Sequence, residues 1–308
     1  MLDALVRADP PPYEIIVVDD GSTDNSAAIV HDFPVRLVQL PQNIGAAAAK
    51  NRGAEVATGD VLFFTDSDIV VRPDTFARLA ADLSAHEWDG MVGLLDEQIP
   101  AQNFASQFKN LWMSFTYVRF AGAGAIGLFY TSVAAMRREC FVQAGGFDEN
   151  YSGASIAEDT EFGQRAWARG IKIQLDPHLF VVHLKAYTVR GVLREDFRRA
   201  RALTLMRLRK RGQSFFTSVP TFYQLAVPVL YLTLLFLLLT PLHLLWLVPA
   251  LLGLGLFYLL NASLLAFIRR KRGRRFMFQG ALLLPVDVLV VGIGMLAAVL
   301  DFARGYKY

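Results

Sequence analysis

The sequence predicts an α/β domain built on a mostly parallel sheet, followed by transmembrane α-helices. Three observations carry that expectation. Apolar β-branched runs alternate with helical periodicity over residues 13–98. Residues 222–242, 244–267 and 277–300 are long apolar runs whose one charge is Asp287. Hydrophobic residues make up 54% of the 308-residue chain and charged residues 19%, with the surplus after Ser218, which a single soluble domain does not explain.

The elements follow in order. "YEIIVVDD" (13–20) reads as a strand, and "STDNSAAIVHDF" (22–33) as a helix with Ser22 as its N-cap. "VRLVQL" (35–40) is a second strand and "AAAAKNRGAEVA" (46–57) a second helix. Gly59-Asp60 turns the chain into the strand 61–65; a helix over 72–85 and a strand over 90–98 come next. "NFASQFKNLWMSFTYVRF" (103–120) carries Phe104, Phe108, Leu111, Phe115 and Val118 at helical spacing, either as core or as an interfacial helix. "EFGQRAWARG" reads as a helix ending at Gly170, with Trp167 as core or acceptor platform, and "FVVHLKAY" closes another apolar strand at His183. Residues 189–212 form a basic amphipathic helix suited to an anionic leaflet rather than to nucleic acid.

Each of the three apolar runs is long enough to cross roughly 30 Å of hydrocarbon. "RLRKRG" precedes the first and "RRKRGRR" follows the second, while the loop between them has no Lys or Arg. Positive flanks favour the cytoplasm, so the large domain is expected there and Tyr308 outside. Asp287 is costly in lipid and calls for a structural partner or a functional role. The lone Cys140 excludes an internal disulfide and a multi-cysteine metal site. No cleavable signal peptide is visible in the first twelve residues.

Carboxylates recur at strand ends. Asp19 and Asp20 follow one apolar run, and Asp66 and Asp68 follow "VLFFT". In parallel α/β sheets ligands sit beyond the carboxyl ends of the strands. If both strands share one sheet, four carboxylates converge, and a cation such as Mg²⁺ or Mn²⁺ would relieve their repulsion. Taken singly, Asp20 and Asp24 also suit turns and Asp66 a helix cap.

"IIVVDDGSTD", "QNIGAAAAKNRGAEVATGD", "FFTDSD" and "GGFDENYSGASIAEDTEFGQRAWARG", in that order, resemble a family 2 glycosyltransferase of the GT-A fold over about residues 13–185. The resemblance implies transfer of a sugar from a nucleotide-diphosphate donor, usually with inversion and with Mg²⁺ or Mn²⁺. Asp20, with Asp19 beside it, then stands at the nucleotide-base contact. Lys50 stands where the family usually has an arginine near the diphosphate, without the bidentate fork. Asp66 and Asp68 form the DxD pair, Asp68 as direct metal ligand and Asp66 toward ribose or a metal-bound water. Asp159 is the implied catalytic base, with Glu158 orienting it or the acceptor; both also suit a helix N-terminus. His183 either completes the metal site or is a packed core residue.

The expected organisation is a catalytic domain over 1–187, a basic juxtamembrane helix over 188–215 and a membrane domain over 216–308. No "QxxRW" follows Asp159; "REDFRRAR" stands there instead, which points to one sugar per acceptor rather than a polymer. The acceptor is expected to be a hydroxyl of a lipid-linked or membrane-proximal molecule, a lipid-linked or glycan acceptor in cell envelope glycan synthesis, at the inner or plasma membrane. The alternatives are a polyprenyl-phosphate glycosyltransferase and a non-catalytic membrane binding module. The resemblance also implies a first strand ahead of "MLDALVRADPPP", so the chain as it stands is expected to have a gap in its sheet.

Overall fold

The computed structural model describes all residues except 85–86, 152–156, 211–214 and 307–308. The glycine-rich approach at 152–156, the end of the basic segment and Tyr308 therefore lie outside the described residues. The chain opens with α1 (Leu2–Val6), β1 (Ile16–Asp19), α2 (Ser26–Val30) and β2 (Arg36–Gln39). β1 and β2 pair in parallel, Ile16 opposite Arg36 and Asp19 opposite Gln39. The helix expected over 22–33 is shorter, because the Asp19 Oδ1 accepts the Ser22 N–H at 3.0 Å. Ser22 thus belongs to a turn, and Asn25 stands at the helix start. α3 (Ala46–Val56) forms as expected and packs on β1, Gly53 facing the Val18 side chain.

β3 (Val61–Phe64), β4 (Ile69–Val71), α4 (Thr75–Ser84), β5 (Gly90–Leu95) and α5 (Phe104–Tyr117) follow, then β6 (Ala134–Arg137), α6 (Arg138–Ala144), α7 (Glu158–Ala168) and β7 (Ile173–His183). Five of these strands form a sheet in the order β3-β6-β5-β7-β4. The sheet is mixed, which corrects the expectation of a mostly parallel one. Only β5–β7 is parallel; β3–β6, β5–β6 and β4–β7 are antiparallel. β6 inserts between β3 and β5 and runs antiparallel to both, and β4 lies at the far edge, antiparallel to β7. Nor do β1 and β3 share a sheet, since β1–β2 stands apart from the other five strands.

Two packing features hold the carboxylate-bearing segments. Phe64, two residues before Asp66, and Phe162, three after Asp159, meet in one aromatic cluster with Phe129, Phe141 and Phe147. Phe64 lies 5.2 Å from Phe141 and Phe162 lies 4.8 Å from Phe129, centroid to centroid. The second feature is Gly93, where the β5–β7 register shifts. A Cβ there would lie 2.4 Å from the Leu179 carbonyl oxygen and 2.8 Å from a Val133 methyl. Backbone oxygen cannot yield, so Gly93→Ala is expected to cost about 2–3 kcal/mol by overpacking, read as a lowered midpoint in a thermal melt of the full chain.

The C-terminal part comprises α8 (Val189–Arg209), α9 (Thr221–Leu239), α10 (Leu247–Leu260) and α11 (Ala262–Ala303). Among the described residues, α9 and α11 are long and apolar enough to cross a membrane. The three runs expected at 222–242, 244–267 and 277–300 are thus redrawn. Asn261, whose side chain donates to the Phe257 carbonyl at 2.9 Å, makes a turn inside the second run. α11 continues through the basic residues 269–275 and breaks at Gly273 (φ 84°, ψ 178°). α5 joins the two hydrophobic cores: Met113 and Tyr117 pack in the one around the sheet, Phe108 and Leu111 against α9, α10 and α11. The Tyr223 hydroxyl donates to the Asp287 Oδ2 at 2.6 Å, so Asp287 has a structural partner.

Candidate active site

The loop between β3 and β4 carries Asp66 and Asp68. The Asp66 Oδ2 accepts the Ser132 hydroxyl at 2.7 Å, and the Thr65 hydroxyl donates to the Ser132 carbonyl at 3.1 Å. Residue 131 reaches the opposite way: the Lys50 ammonium donates to the Thr131 Oγ1 at 2.7 Å and pairs with the Glu158 Oε1 at 3.4 Å. Through Thr131 and Ser132, three segments far apart in sequence meet: α3 with Lys50, the DxD loop with Asp66, and the start of α7 with Glu158 and Asp159. Lys50 also lies 5.7 Å from the Phe147 ring centroid.

Glu158 is buried, and its Oε2 has no hydrogen-bond partner among the described residues. Burial, and then the neighbouring Asp159 charge, raise its pKa above the ordinary range, against the pull of Lys50. Asp159 is half-buried, and its Oδ1 accepts the Thr160 N–H at 2.5 Å and the Thr160 hydroxyl at 3.2 Å. Burial raises its pKa too, opposed by the charges of Arg199 and Lys50. Arg199 comes from α8 and donates to the Tyr117 hydroxyl at 2.8 Å. The acidic first turn of α7 also serves the helix. Burial opposes the charge on Glu161, but Arg165 and Lys210 outweigh it and hold its pKa down.

Asp68 faces His183 instead. β4 and β7 bring Ile69 opposite His183, and the His183 Nε2 lies 3.3 Å from the Asp68 Oδ2. That hydrogen bond holds the Asp68 carboxyl below its usual range, so it stays ionised at neutral pH. The expected triad of Asp66, Asp68 and His183 is not assembled. Asp66 is turned to Ser132, and among the described residues no three His, Cys, Asp or Glu side chains converge to hold a cation alone. Asp68 and His183 nonetheless offer one carboxylate oxygen and one imidazole nitrogen. That donor pair fits Mn²⁺ better than Mg²⁺, with a ligand's phosphates left to fill the remaining positions.

Asp19 and Asp20 lie apart from this network. Asp19 is bonded to the Ser22 N–H, and that turn lowers its pKa. The Asp20 carboxylate accepts the N–H groups of Ile44 (2.8 Å) and Gly45 (3.0 Å), which orders the approach to α3. Asp20 therefore works here as a loop anchor that sets Lys50. Trp167 packs edge-on against Phe216 at 6.0 Å, which favours core over acceptor platform. A cleft of about 720 Å³ beside α3 and α6, lined by Asn51, Arg138, Phe147 and Glu149, contains none of the eight expected residues. Thr131, Ser132, Tyr117 and Arg199 were not singled out from sequence. The polar pair ending "IGLFYTS" and the "REDFRRAR" segment were the available signals.

Residues 1–144 match the profile of the family described as Glycosyl transferase family 2. Glycosyltransferase GlyG of Streptococcus pneumoniae is 39% identical over 85 residues, which cover 26% of this chain and 28% of that protein. A PGL/p-HBAD biosynthesis glycosyltransferase of Mycobacterium bovis is 34% identical over 97 residues, 30% of this chain and 38% of that one. The chain thus spans between about a quarter and two-fifths of the curated relatives it matches. Among solved structures, a mannosyltransferase from Pyrobaculum calidifontis in complex with GDP-Man and Mn²⁺ superposes with a TM-score of 0.56 at 20% identity, covering 99% of this chain and 83% of that one. The fold is accordingly GT-A with a mixed sheet and apolar helices after the α/β part.

Proposed function

We propose, from the premise that the chain's first half (residues 1–144) belongs to glycosyl transferase family 2, that the protein transfers a sugar, with inversion, from a nucleotide diphosphate to a hydroxyl of a lipid-linked or membrane-proximal acceptor. The observation that carries this reading is the Lys50–Thr131/Ser132–Asp66 network ending on Glu158 and Asp159. It joins a cation, a DxD carboxylate and a candidate base around one strand-end site.

In this reading Asp159 takes the acceptor's O–H proton as that oxygen forms its bond to the anomeric carbon. The bond from that carbon to the diphosphate oxygen breaks, and its electron pair leaves with the nucleoside diphosphate. The pKa raised by burial gives Asp159 more affinity for the proton than an ordinary carboxylate has. Lys50 offers positive charge to the departing phosphates, and its bond to Glu158 orients the carboxylate pair. Asp68 and His183 would hold Mn²⁺, which when bound would stabilise charge on the diphosphate. Asp19 and Asp20 lie toward the nucleotide base, although their present bonds are to Ser22 and to residues 44–45.

Ser132 is a positioning residue for Asp66. Ser132→Ala is expected to cost about 1 kcal/mol of stability or less while lowering kcat five- to tenfold with little change in donor KM. Ser132→Thr, which keeps the hydroxyl, should recover most of the rate; equal rates for Ala and wild type would remove this role.

The chain divides, in our reading, into a catalytic domain to about residue 187, a basic helix and a membrane part that keeps the protein in the inner or plasma membrane. The basic flanks of the apolar helices favour a cytoplasmic catalytic domain. Arg199, close enough to Asp159 to perturb it, favours one alternative, a polyprenyl-phosphate acceptor whose anionic oxygen would need cations more than a base. Product chemistry separates the readings. Membranes carrying the protein are incubated with labelled nucleotide sugars and Mn²⁺, and the lipid extract is treated with mild acid. A stable glycoside is the expected product. An acid-labile glycosyl phosphate would move the assignment to the alternative, and no labelled product from any donor would leave only a binding module.

A further inference from the structure

The second half of α11 has two unlike sides. Gly280, Asp287, Gly292, Gly294 and Ala298 are buried, while Leu282, Val286, Ile293, Leu296, Val299 and Leu300 are exposed. The buried side meets Phe108 of α5 at Gly280 and Tyr223 and Tyr231 of α9 at Asp287 and Gly292, and from Gly294 onward it faces α8, a helix rich in charge. At Gly294 an added Cβ would lie 2.5 Å from the Phe197 carbonyl oxygen and 3.2 Å from the Ala200 Cβ. Farther along, Arg201 bonds Asp301 at 2.5 Å, and Arg209 donates to the Tyr306 carbonyl at 2.5 Å. The contacts advance from 197 to 209 on one helix as they advance from 294 to 306 on the other. The two helices therefore run side by side in the same direction, for about 18 Å at the α-helical rise.

That pairing bears on the depth of α11. Over residues 294–306 the α11 end shares its level in a membrane with residues 197–209 of α8. α8 exposes Arg190, Arg194 and Arg198, four residues apart on one stripe. A helix with such a stripe does not lie in hydrocarbon. Gly273, with its left-handed φ, breaks the path between the first and second halves of α11. The turn is pinned to the catalytic domain: Arg272 donates to the Gln107 Oε1 at 2.9 Å and to the Glu97 carbonyl at 2.7 Å, and Lys271 pairs with Glu97 at 2.7 Å. Arg269, Arg270, Arg274 and Arg275 stay exposed around it.

We propose that the second half of α11 lies in the plane of an anionic leaflet on the catalytic domain's side, its leucine-rich face in the lipid and α8 covering its other face. The exposed arginines of α8 and of the Gly273 turn supply the complementary charge for anionic headgroups. The chain then crosses the bilayer twice, out along α9 and back along α10 and the start of α11. Its C-terminal end returns to the catalytic side, contrary to the sequence expectation of an outward Tyr308. The inference rests on the membrane reading above.

The test uses the full chain with Cys140 replaced by Ala and single cysteines introduced at the hairpin tip (Leu242→Cys) or near the C-terminal end (Arg304→Cys). Membranes are washed with carbonate, then a membrane-impermeant maleimide is applied to right-side-out and to inside-out vesicles. We expect Leu242→Cys to label only in right-side-out vesicles and Arg304→Cys only in inside-out ones. Arg304→Cys labelling with the same sidedness as Leu242→Cys overturns the proposal while leaving the membrane reading intact. Loss of the protein to the carbonate wash overturns both. As a check on depth, a fluorophore on Leu296→Cys in vesicles of phosphatidylglycerol and phosphatidylcholine should be quenched more by shallow than by deep lipid quenchers. The reverse order contradicts an in-plane helix.

Discussion

Asp159→Asn is expected to lower kcat by about 10²–10⁴-fold, the range a positioned general base contributes, with donor KM changed no more than a few-fold. The substitution keeps shape and half-burial and removes the ability to take a proton. It also removes a buried negative charge beside Glu158, so the variant should fold at least as well as the parent. The pH profile gives an independent reading. Burial raises the pKa of Asp159, and burial plus the Asp159 charge raises that of Glu158. A base works only when deprotonated. Activity is therefore present above the raised pKa and lost as pH falls through it, on an acid limb above the ordinary carboxylate range. Asp159→Asn should flatten that limb in whatever activity remains. An unchanged kcat, or an acid limb that survives the substitution, would remove Asp159 as the base.

Phe162→Ala carries the second large effect, a loss of about 3–5 kcal/mol for truncating a fully buried aromatic. The side chain is 0% exposed and packs against Phe129 and Phe147, each at 4.8 Å, and Phe141 at 5.2 Å. The consequence goes beyond stability. Phe64 touches Phe129, Phe141 and Phe147 as well, so the strand that ends at Asp66 and the helix that begins at Glu158 share one anchor. Phe162→Leu, which refills most of the volume, should recover stability and rate together. Recovery of stability without rate would show that the cluster does not set the relative position of the two carboxylate segments.

Much of this was legible in the chain itself. α3 and α5 form within two or three residues of their expected bounds, because Ala-rich composition and the period of Phe108 and Leu111 leave little competition. Of the carboxylates at strand ends, Asp66 meets Ser132, Asp68 meets His183, and Asp19 and Asp20 hold their own loops. The sheet's mixed order was not legible, since β6 is only "AAMR" and β7 carries Pro177 within it, both weak strand signals. The bonds from Asp20 to the N–H groups of Ile44 and Gly45 join positions more than twenty residues apart, which no local pattern reports. Ser132 and Arg199 owe their place to packing between distant segments, which no local pattern reports. The same holds for α8 along α11: hydropathy registered a third span, and only the contacts at Gly294 and Asp301 reveal the charged neighbour.

Metal-assisted sugar transfer by the segments bearing Asp66, Asp68 and Asp159, as proposed, is tested most directly by nucleoside-diphosphate release from the purified full chain, measured against a panel of nucleotide sugars with Mn²⁺ and an acceptor lipid extract. Release is expected from one donor class; it should depend on the extract, stop on chelation, return with Mn²⁺ and be lost in Asp159→Asn. Release from no donor, or release that persists undiminished in Asp159→Asn, would contradict it.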